Sequence, residues 1–287
     1  MKLALSLVIV LVAFAGNSVL NRLALVGDGA IGALEFAAIR VIAGALMLAL
    51  LLRLRERGAT RPRDMPDARA VLAAGCLALY LLAFSIAYIT LPAGLGALIL
   101  FGGVQMTMFA GAWAMGEALT ARQLLGAALA FAGLVYLLWP QGRGAPDALG
   151  AALMAAAALG WGVYSLIGRG SRDPLKESAR NFLFAVIPVG AALLALGARG
   201  ADPGIPLRGA LLGVASGALT SGLGYALWFR VLPQLKASTA AVAQLTVPLI
   251  AMAGGMIFLA EPLTLRFIFS SIAVLGGVAL AIVPAKA

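Results

Sequence analysis

The sequence predicts an all-α integral membrane protein of ten transmembrane helices, built as two inverted five-helix repeats. Three observations predict it: the composition, the spacing of uncharged runs, and a motif that returns half a chain later. Of 287 residues, 63% are hydrophobic and 11% charged, whereas a soluble domain runs nearer half and a quarter. Mean hydropathy is +1.04. That composition excludes a cytosolic enzyme. The chain has no histidine, which excludes histidine-based metal sites, triads and proton relays. Its single cysteine, Cys76, can form no intrachain disulfide. No metal and no cofactor is expected.

A helix needs about 20 apolar residues to cross the hydrocarbon core. Leu3 to Asn21 is the first uncharged run, long enough to span rather than to serve as a cleaved leader. Residues 31–52 follow, apolar except for Glu35 and Arg40. Ala70 to Gly116 is uncharged throughout and too long for one crossing, so it holds two spans. Thr90-Leu91-Pro92-Ala93-Gly94 is the expected break, because proline and glycine punctuate helices. Gln123 to Gly142 completes the first half. Ala148 to Gly168, Asn181 to Ala198, Gly209 to Phe229, Ala237 to Ala260 and Phe267 to Ala285 make up the second.

The formal charge of +10 is read as topology rather than as a nucleic-acid surface, because basic residues favour cytoplasmic loops. With the N-terminus inside, Arg22, Arg40, Arg143, Arg199, Arg208 and Arg266 fall outside. The other 15 of the 21 basic residues fall inside. Both termini are therefore placed in the cytoplasm.

Glu117-Ala118-Leu119-Thr120-Ala121-Arg122 returns 144 positions later as Glu261-Pro262-Leu263-Thr264-Leu265-Arg266. At the same offset Met108 meets Met252, Gly111 meets Gly255 and Gly133 meets Gly277; a looser match pairs Gly16 with Gly162. Residues 1–143 and 144–287 thus read as two repeats. Five spans is an odd number, so the repeats enter the membrane in opposite senses. Inverted repeats about a midplane site are characteristic of secondary transporters.

These features resemble the drug/metabolite transporter superfamily, and within it the EamA-type members. Gly116-Glu117 with Gly126 and Gly133, and Ala260-Glu261 with Gly277, match the step that ends the fourth helix of a repeat and opens a glycine-bearing fifth. Trp161-Gly162 matches the marker of a repeat's first helix, from which Ala15-Gly16 departs. In size, architecture and aromatic content the chain is most similar to bacterial aromatic amino acid exporters of the YddG type. The resemblance implies a multi-pass protein of the bacterial inner membrane. It would export small neutral or zwitterionic metabolites, amino acids and aromatic ones first, by alternating access. Broad-specificity drug or metabolite efflux and proton-coupled antiport are the alternatives. A membrane enzyme or a scaffold fits less well, since no catalytic constellation and no soluble domain stands out. The expected partners are a small-molecule substrate and the lipid bilayer, not nucleic acid, and a monomer suffices.

The cavity is expected among helices 1, 3, 4, 6, 8 and 9. Its candidate lining residues are Asn17, Tyr80, Phe84, Tyr88, Phe101, Trp161, Tyr164, Tyr225, Trp228, Gln244 and Pro248. Tyr80, Phe84 and Tyr88 share one helix face at i, i+4 and i+8. Aromatic walls with a few amides suit a solute carrying an apolar side chain. Pro248 is read as interrupting the ninth helix, freeing a carbonyl for substrate; Pro92 and Pro233 are further hinges. Gln105 and Thr246 read as interhelical contacts or lining groups. The fourth and ninth helices carry no lysine or arginine, which disfavours a phosphorylated substrate. Gly16-Asn17 stands where small multidrug relatives carry a membrane glutamate, which disfavours proton antiport by that route. Glu117 and Glu261 read as caps of the following helix or partners of Arg122 and Arg266. Glu35 and Arg40, with Arg22 near the same surface, read as an outward-snorkelling pair or a charged cluster bracing the mouth.

Overall fold

A computed structural model describes residues 2–56, 67–114, 120–139, 146–168, 171–197, 205–231, 234, 244 and 246–282. Every regular element among them is helical. The helices are α1 (Lys2–Leu25), α2 (Ala33–Arg55), α3 (Ala68–Ala87), α4 (Ala93–Ala114), α5 (Ala121–Leu138) and α6 (Ala148–Gly168). Then come α7 (Pro174–Ala192), extended by a π turn at Leu193–Gly197, and α8 (Leu207–Ala215). A π-helical segment, Ser216–Leu223, joins α8 to α9 (Gly224–Val231) as one unbroken rod; α10 (Val247–Leu259) and α11 (Leu265–Ile282) follow.

Among the described residues, six segments are long and apolar enough to cross a bilayer: Leu3–Leu25, Ala33–Arg55, Ala68–Ala87, Ala148–Gly168, Pro174–Leu196 and Leu207–Trp228. Shorter apolar helices stand beside them at Ala93–Met108, Ala121–Leu137, Val247–Leu259 and Leu265–Ala281. Large apolar side chains face outward, for example Leu5, Val8, Ile9 and Val12 on α1 and Phe269 and Ile272 on α11. In water such a perimeter would be a liability; against lipid it is the matched surface. Exposed Trp113 and Trp139, near the ends of α4 and α5, fit an interfacial aromatic belt.

Local chemistry sets several boundaries. Asp67 caps α3 by accepting the Ala70 N–H at 2.8 Å. Thr120 and Gln123 form a reciprocal capping box on α5. The predicted break after α3 is present, with Tyr88 to Leu91 forming the turn before Pro92. Two boundaries differ from the sequence reading. α7 begins about two turns before Asn181, because Asp173 caps it and Pro174 occupies its first position. Pro248 sits in the first turn of α10 behind Thr246. There its missing N–H costs α10 no bond.

The packing is pairwise. α3 lies along α6, and α1 along the α8–α9 rod. α4 meets α6, and α1 meets α10; α3 meets α7, and α2 meets the π segment. α2 faces α7, α4 faces α10, and α5 faces α11. The last of these contacts is a glycine seam: a Cβ on Gly126 or on Gly277 would strike the other's carbonyl oxygen. That is the close approach small residues permit in lipid.

A central aromatic cavity and its two ends

α1, α3, α4, α6 and α9 converge on a small cavity lined by Phe14, Asn17, Tyr80, Phe84, Leu100, Phe101, Trp161 and Tyr225. Its free volume is about 10 Å³, room for roughly one water. Aromatic rings take up the rest. Trp161 lies 4.8 Å from Tyr225 and 5.1 Å from Tyr80, centroid to centroid, and Phe14 stands 6.0 Å from Tyr225. A solute the size of an amino acid enters only as these rings separate.

Of the predicted residues, Asn17, Tyr80, Phe84, Phe101, Trp161 and Tyr225 line this cavity. Tyr164 and Trp228 stand one ring behind it, 5.6 Å from Trp161 and 5.7 Å from Phe14. Tyr88 is displaced toward the α3–α4 turn, where its hydroxyl donates to the Ala93 carbonyl at 3.2 Å. Buried Gln105, half-buried Gln244 and buried Pro248 are not among the lining residues. Glu117, Gly116 and Pro233 lie outside the described residues, as does the side chain of Phe229. Phe14 and Leu100 line the cavity without having been singled out; Phe14 carries its signal three residues before Asn17, on the same face of α1.

Behind the rings lies a polar layer. The Asn17 Oδ1 accepts from Ser216 at 2.8 Å, Thr220 at 2.5 Å and Ser221 at 3.4 Å. The π segment presents all three hydroxyls; such segments recur at functional sites. Ser221 in turn accepts from Arg40 Nε at 3.1 Å, and Arg40 Nη2 donates to the Tyr80 hydroxyl at 2.8 Å. The guanidinium also lies 5.2 Å from the Tyr80 ring centroid and 4.9 Å from that of Phe84. Arg40 is 0% exposed and makes no ion pair with Glu35. The outward-snorkelling pair is thus corrected. Arg40 stands seven residues past Ala33, about 10 Å down the helix, and its guanidinium turns into the bundle toward Ser221 and Tyr80.

One end of the cavity is latched. Arg22 donates to the carbonyls of Tyr88 at 2.8 Å and Ile89 at 2.6 Å, and its Nε lies 3.6 Å from Glu261. Glu261 accepts the Ala93 N–H with both oxygens, at 3.0 and 2.8 Å. It therefore caps α4, not the helix that follows it, and its cationic neighbour is Arg22 rather than Arg266. The turn explains this. Ala260 takes a left-handed φ of 52°, and the Glu261 N–H returns to the Gly255 carbonyl at 3.1 Å. Arg266 instead donates to the carbonyls of Tyr136 and Trp139. Burial holds the Glu261 carboxyl above the ordinary carboxylate range, against the opposing pull of the Ala93 N–H and Arg22.

The opposite end is more open. A polar pocket of about 150 Å³ lies between α3, the end of α6 and the start of α7, with Arg69, Glu177 and Arg180 on its walls. Tyr164 borders this pocket and also packs on Trp161 of the central cavity. Two rings thus separate pocket from cavity. Nearby, Arg55 grips Asp173 with two hydrogen bonds, at 2.8 and 2.6 Å, tying the end of α2 to the start of α7. No cluster among the described residues is suited to hold a metal ion.

Apolar helices packed around a closed, aromatic and partly polar chamber define a multi-pass membrane protein of the transporter class. The chain belongs to the EamA-like transporter family, of the drug/metabolite transporter superfamily; the family model matches residues 148–283. It is 48% identical over 277 residues to a Pseudomonas aeruginosa protein described as "Uncharacterized protein PA1977", covering 96% of this chain and 93% of that one. A solved crystal structure, 20% identical, superimposes with a TM-score of 0.66 over 95% of this chain and 97% of its own. That likeness concerns the fold alone.

Proposed function

We propose that this protein is a secondary transporter of the bacterial inner membrane. It exports small neutral or zwitterionic metabolites, amino acids and aromatic ones above all. The observation that carries the reading is the aromatic chamber, with the Asn17 amide in its wall, latched at one end and separated from a polar pocket by two rings at the other. Aromatic faces suit an apolar side chain, and the amide and hydroxyls suit its polar head. Ten spans, with the basic residues gathered on the side of the termini, would put both termini in the cytoplasm, the latch outside and the polar pocket inside.

Alternating access between repeats 1–143 and 144–287 is supported by the packing. Let the α8–α9 rod count as the third helix of the second repeat. Exchanging the repeats then turns the α3–α6 contact into α1 with the rod, and α4–α6 into α1–α10. It turns α3–α7 into α2 with the rod, and α2–α7, α4–α10 and α5–α11 map onto themselves. A site shared by such halves can open to either side as they rock.

The test is counterflow of labelled phenylalanine, tryptophan and threonine in proteoliposomes, with and without a pH gradient. Saturable uptake stimulated by substrate inside supports the carrier. Its absence for every amino acid, from folded protein, overturns the amino-acid reading. Stimulation by the gradient favours a second reading, proton-coupled antiport, for which the largely buried carboxyl of Glu261 is the motivating observation.

A further inference from the structure

Arg40 is wholly buried, yet among the described residues no carboxylate pairs with it. A guanidinium carries five N–H donors. Nε is used by Ser221 and Nη2 by Tyr80, while Nη1 has no acceptor. The rings of Tyr80 and Phe84 soften the charge, but they supply no counter-anion. A lone cation in the membrane interior is costly, and where one persists it faces the bundle interior or a cavity and marks a solute or ion pathway. The surroundings of Arg40 say which. Tyr80 and Phe84 are also wall residues of the central cavity, and Asn17, a third wall residue, is joined to Arg40 through Ser221. One layer of side chains separates the unused donors from the chamber.

We propose that Arg40 is the anion subsite of this cavity, taking the carboxylate of an apolar or aromatic solute as Tyr80 and Phe84 part. The proposal rests on the central cavity being the solute site, and it sharpens the solute class. None of the residues lining the cavity is acidic, so its wall offers an ammonium group aromatic faces but no counter-charge. The carboxylate is the recognised charge. A monocarboxylate without an amine, such as 3-phenylpropionate, satisfies the site as well as phenylalanine does; phenethylamine, with the amine alone, does not.

The experiment is equilibrium binding of these three compounds to the purified full chain, with Arg40→Gln and Arg40→Lys beside the wild type. The wild type is expected to bind both carboxylates and to bind phenethylamine at least tenfold more weakly. Arg40→Gln loses at least tenfold for both carboxylates while eluting as a folded monodisperse species. Arg40→Lys keeps part of the affinity, because a point charge replaces a planar fork. Phenethylamine binding as tightly as 3-phenylpropionate overturns the proposal, as does unchanged carboxylate binding in Arg40→Gln. Should that variant fail to fold, the wild-type ratio of the two one-charge compounds decides. Binding of 3-phenylpropionate without phenylalanine sinks the amino-acid solute and leaves the subsite. Phenylalanine binding untouched by Arg40→Gln does the reverse, and no binding of any compound overturns both.

Discussion

Replacing Glu261 by alanine should loosen the latch that closes one end of the cavity. The side chain is 8% exposed and its partner Arg22 18%, so water screens the pair weakly. Glu261 makes two kinds of contact there. It takes the Ala93 N–H at 3.0 and 2.8 Å, the role of a helix cap, and such caps contribute about 1 kcal/mol. It also lies 3.6 Å from Arg22. At an effective dielectric of about 20 that separation gives roughly 4–5 kcal/mol of gross attraction. Desolvation more than offsets it, as the raised Glu261 pKa indicates, so the charge itself adds no net closure. The alanine variant instead loses the cap and leaves the Ala93 N–H and the Arg22 guanidinium without their acceptor, about 1–3 kcal/mol, a factor of roughly 5 to 150 in the open population. In a Cys76→Ser background, Ser18→Cys places a thiol at a buried α1 position between the latch and the cavity wall. Its labelling by an impermeant maleimide from outside reads that population. Glu261→Ala should speed labelling within this range. Glu261→Gln, which keeps an acceptor for Ala93 and sheds the desolvated charge, should not speed it. Equal rates in all three proteins would refute the latch. The pH dependence has a definite sign. The closed arrangement binds the carboxyl proton more tightly than an arrangement in which Glu261 meets water. Acidification therefore favours closure as pH falls from the raised value toward the ordinary 4.5, with no change beyond either limit. Wild-type labelling divided by that of Glu261→Gln, which lacks the titrating group, should fall across that window.

Other perturbations have equally definite outcomes. Ala260→Gly removes a side chain from a left-handed position and should raise thermal stability in detergent by up to about 1 kcal/mol. Gly277→Val drives side-chain atoms into the Gly126 carbonyl and the backbone of Ala130; scanning fluorimetry should show a loss of about 2 kcal/mol or more as α5 and α11 are forced apart. Asp173→Asn loosens a partly exposed ion pair, with side chains 36% and 43% exposed, so it should cost no more than about 1 kcal/mol and less in high salt. Hydrogen bonding to Arg55 holds the Asp173 carboxyl below its ordinary 3.8. Its contribution to stability is present above that value and disappears as pH falls through the lowered one, which an acid titration of wild type against Asp173→Asn would record.

The aromatic lining was legible because rings at mid-helix depth cannot belong to an interfacial belt. Tyr80, Phe84 and Trp161 met that condition, whereas Tyr88, one turn nearer the helix end, went to the latch. Arg40 was misplaced because the sequence gives distance along a helix and not the direction of a side chain. About 10 Å from a helix start, an arginine can snorkel outward or turn into the bundle. The Glu261–Arg22 contact joins residues 239 positions apart; local spacing pointed to Arg266 instead. The serines around Asn17 were hidden for another reason. They lie in a π-wound segment, and nothing in Ser-Gly-Ala-Leu-Thr-Ser-Gly-Leu distinguishes that winding from an ordinary turn.

The π segment at Ser216–Leu223 also bears on how this chain aligns with its relatives. Each residue of an α-helix advances the next by about 100°, and a π turn holds one residue more than an α turn. The segment therefore acts as an insertion inside a helix, and everything after it is rotated relative to a uniformly wound rod. Tyr225, a wall residue of the chamber, comes two residues after the segment's end. A homologue with α winding throughout would need a one-residue gap here for its corresponding ring to point the same way. An ungapped alignment would pair lipid-facing positions with chamber positions from Gly224 onward.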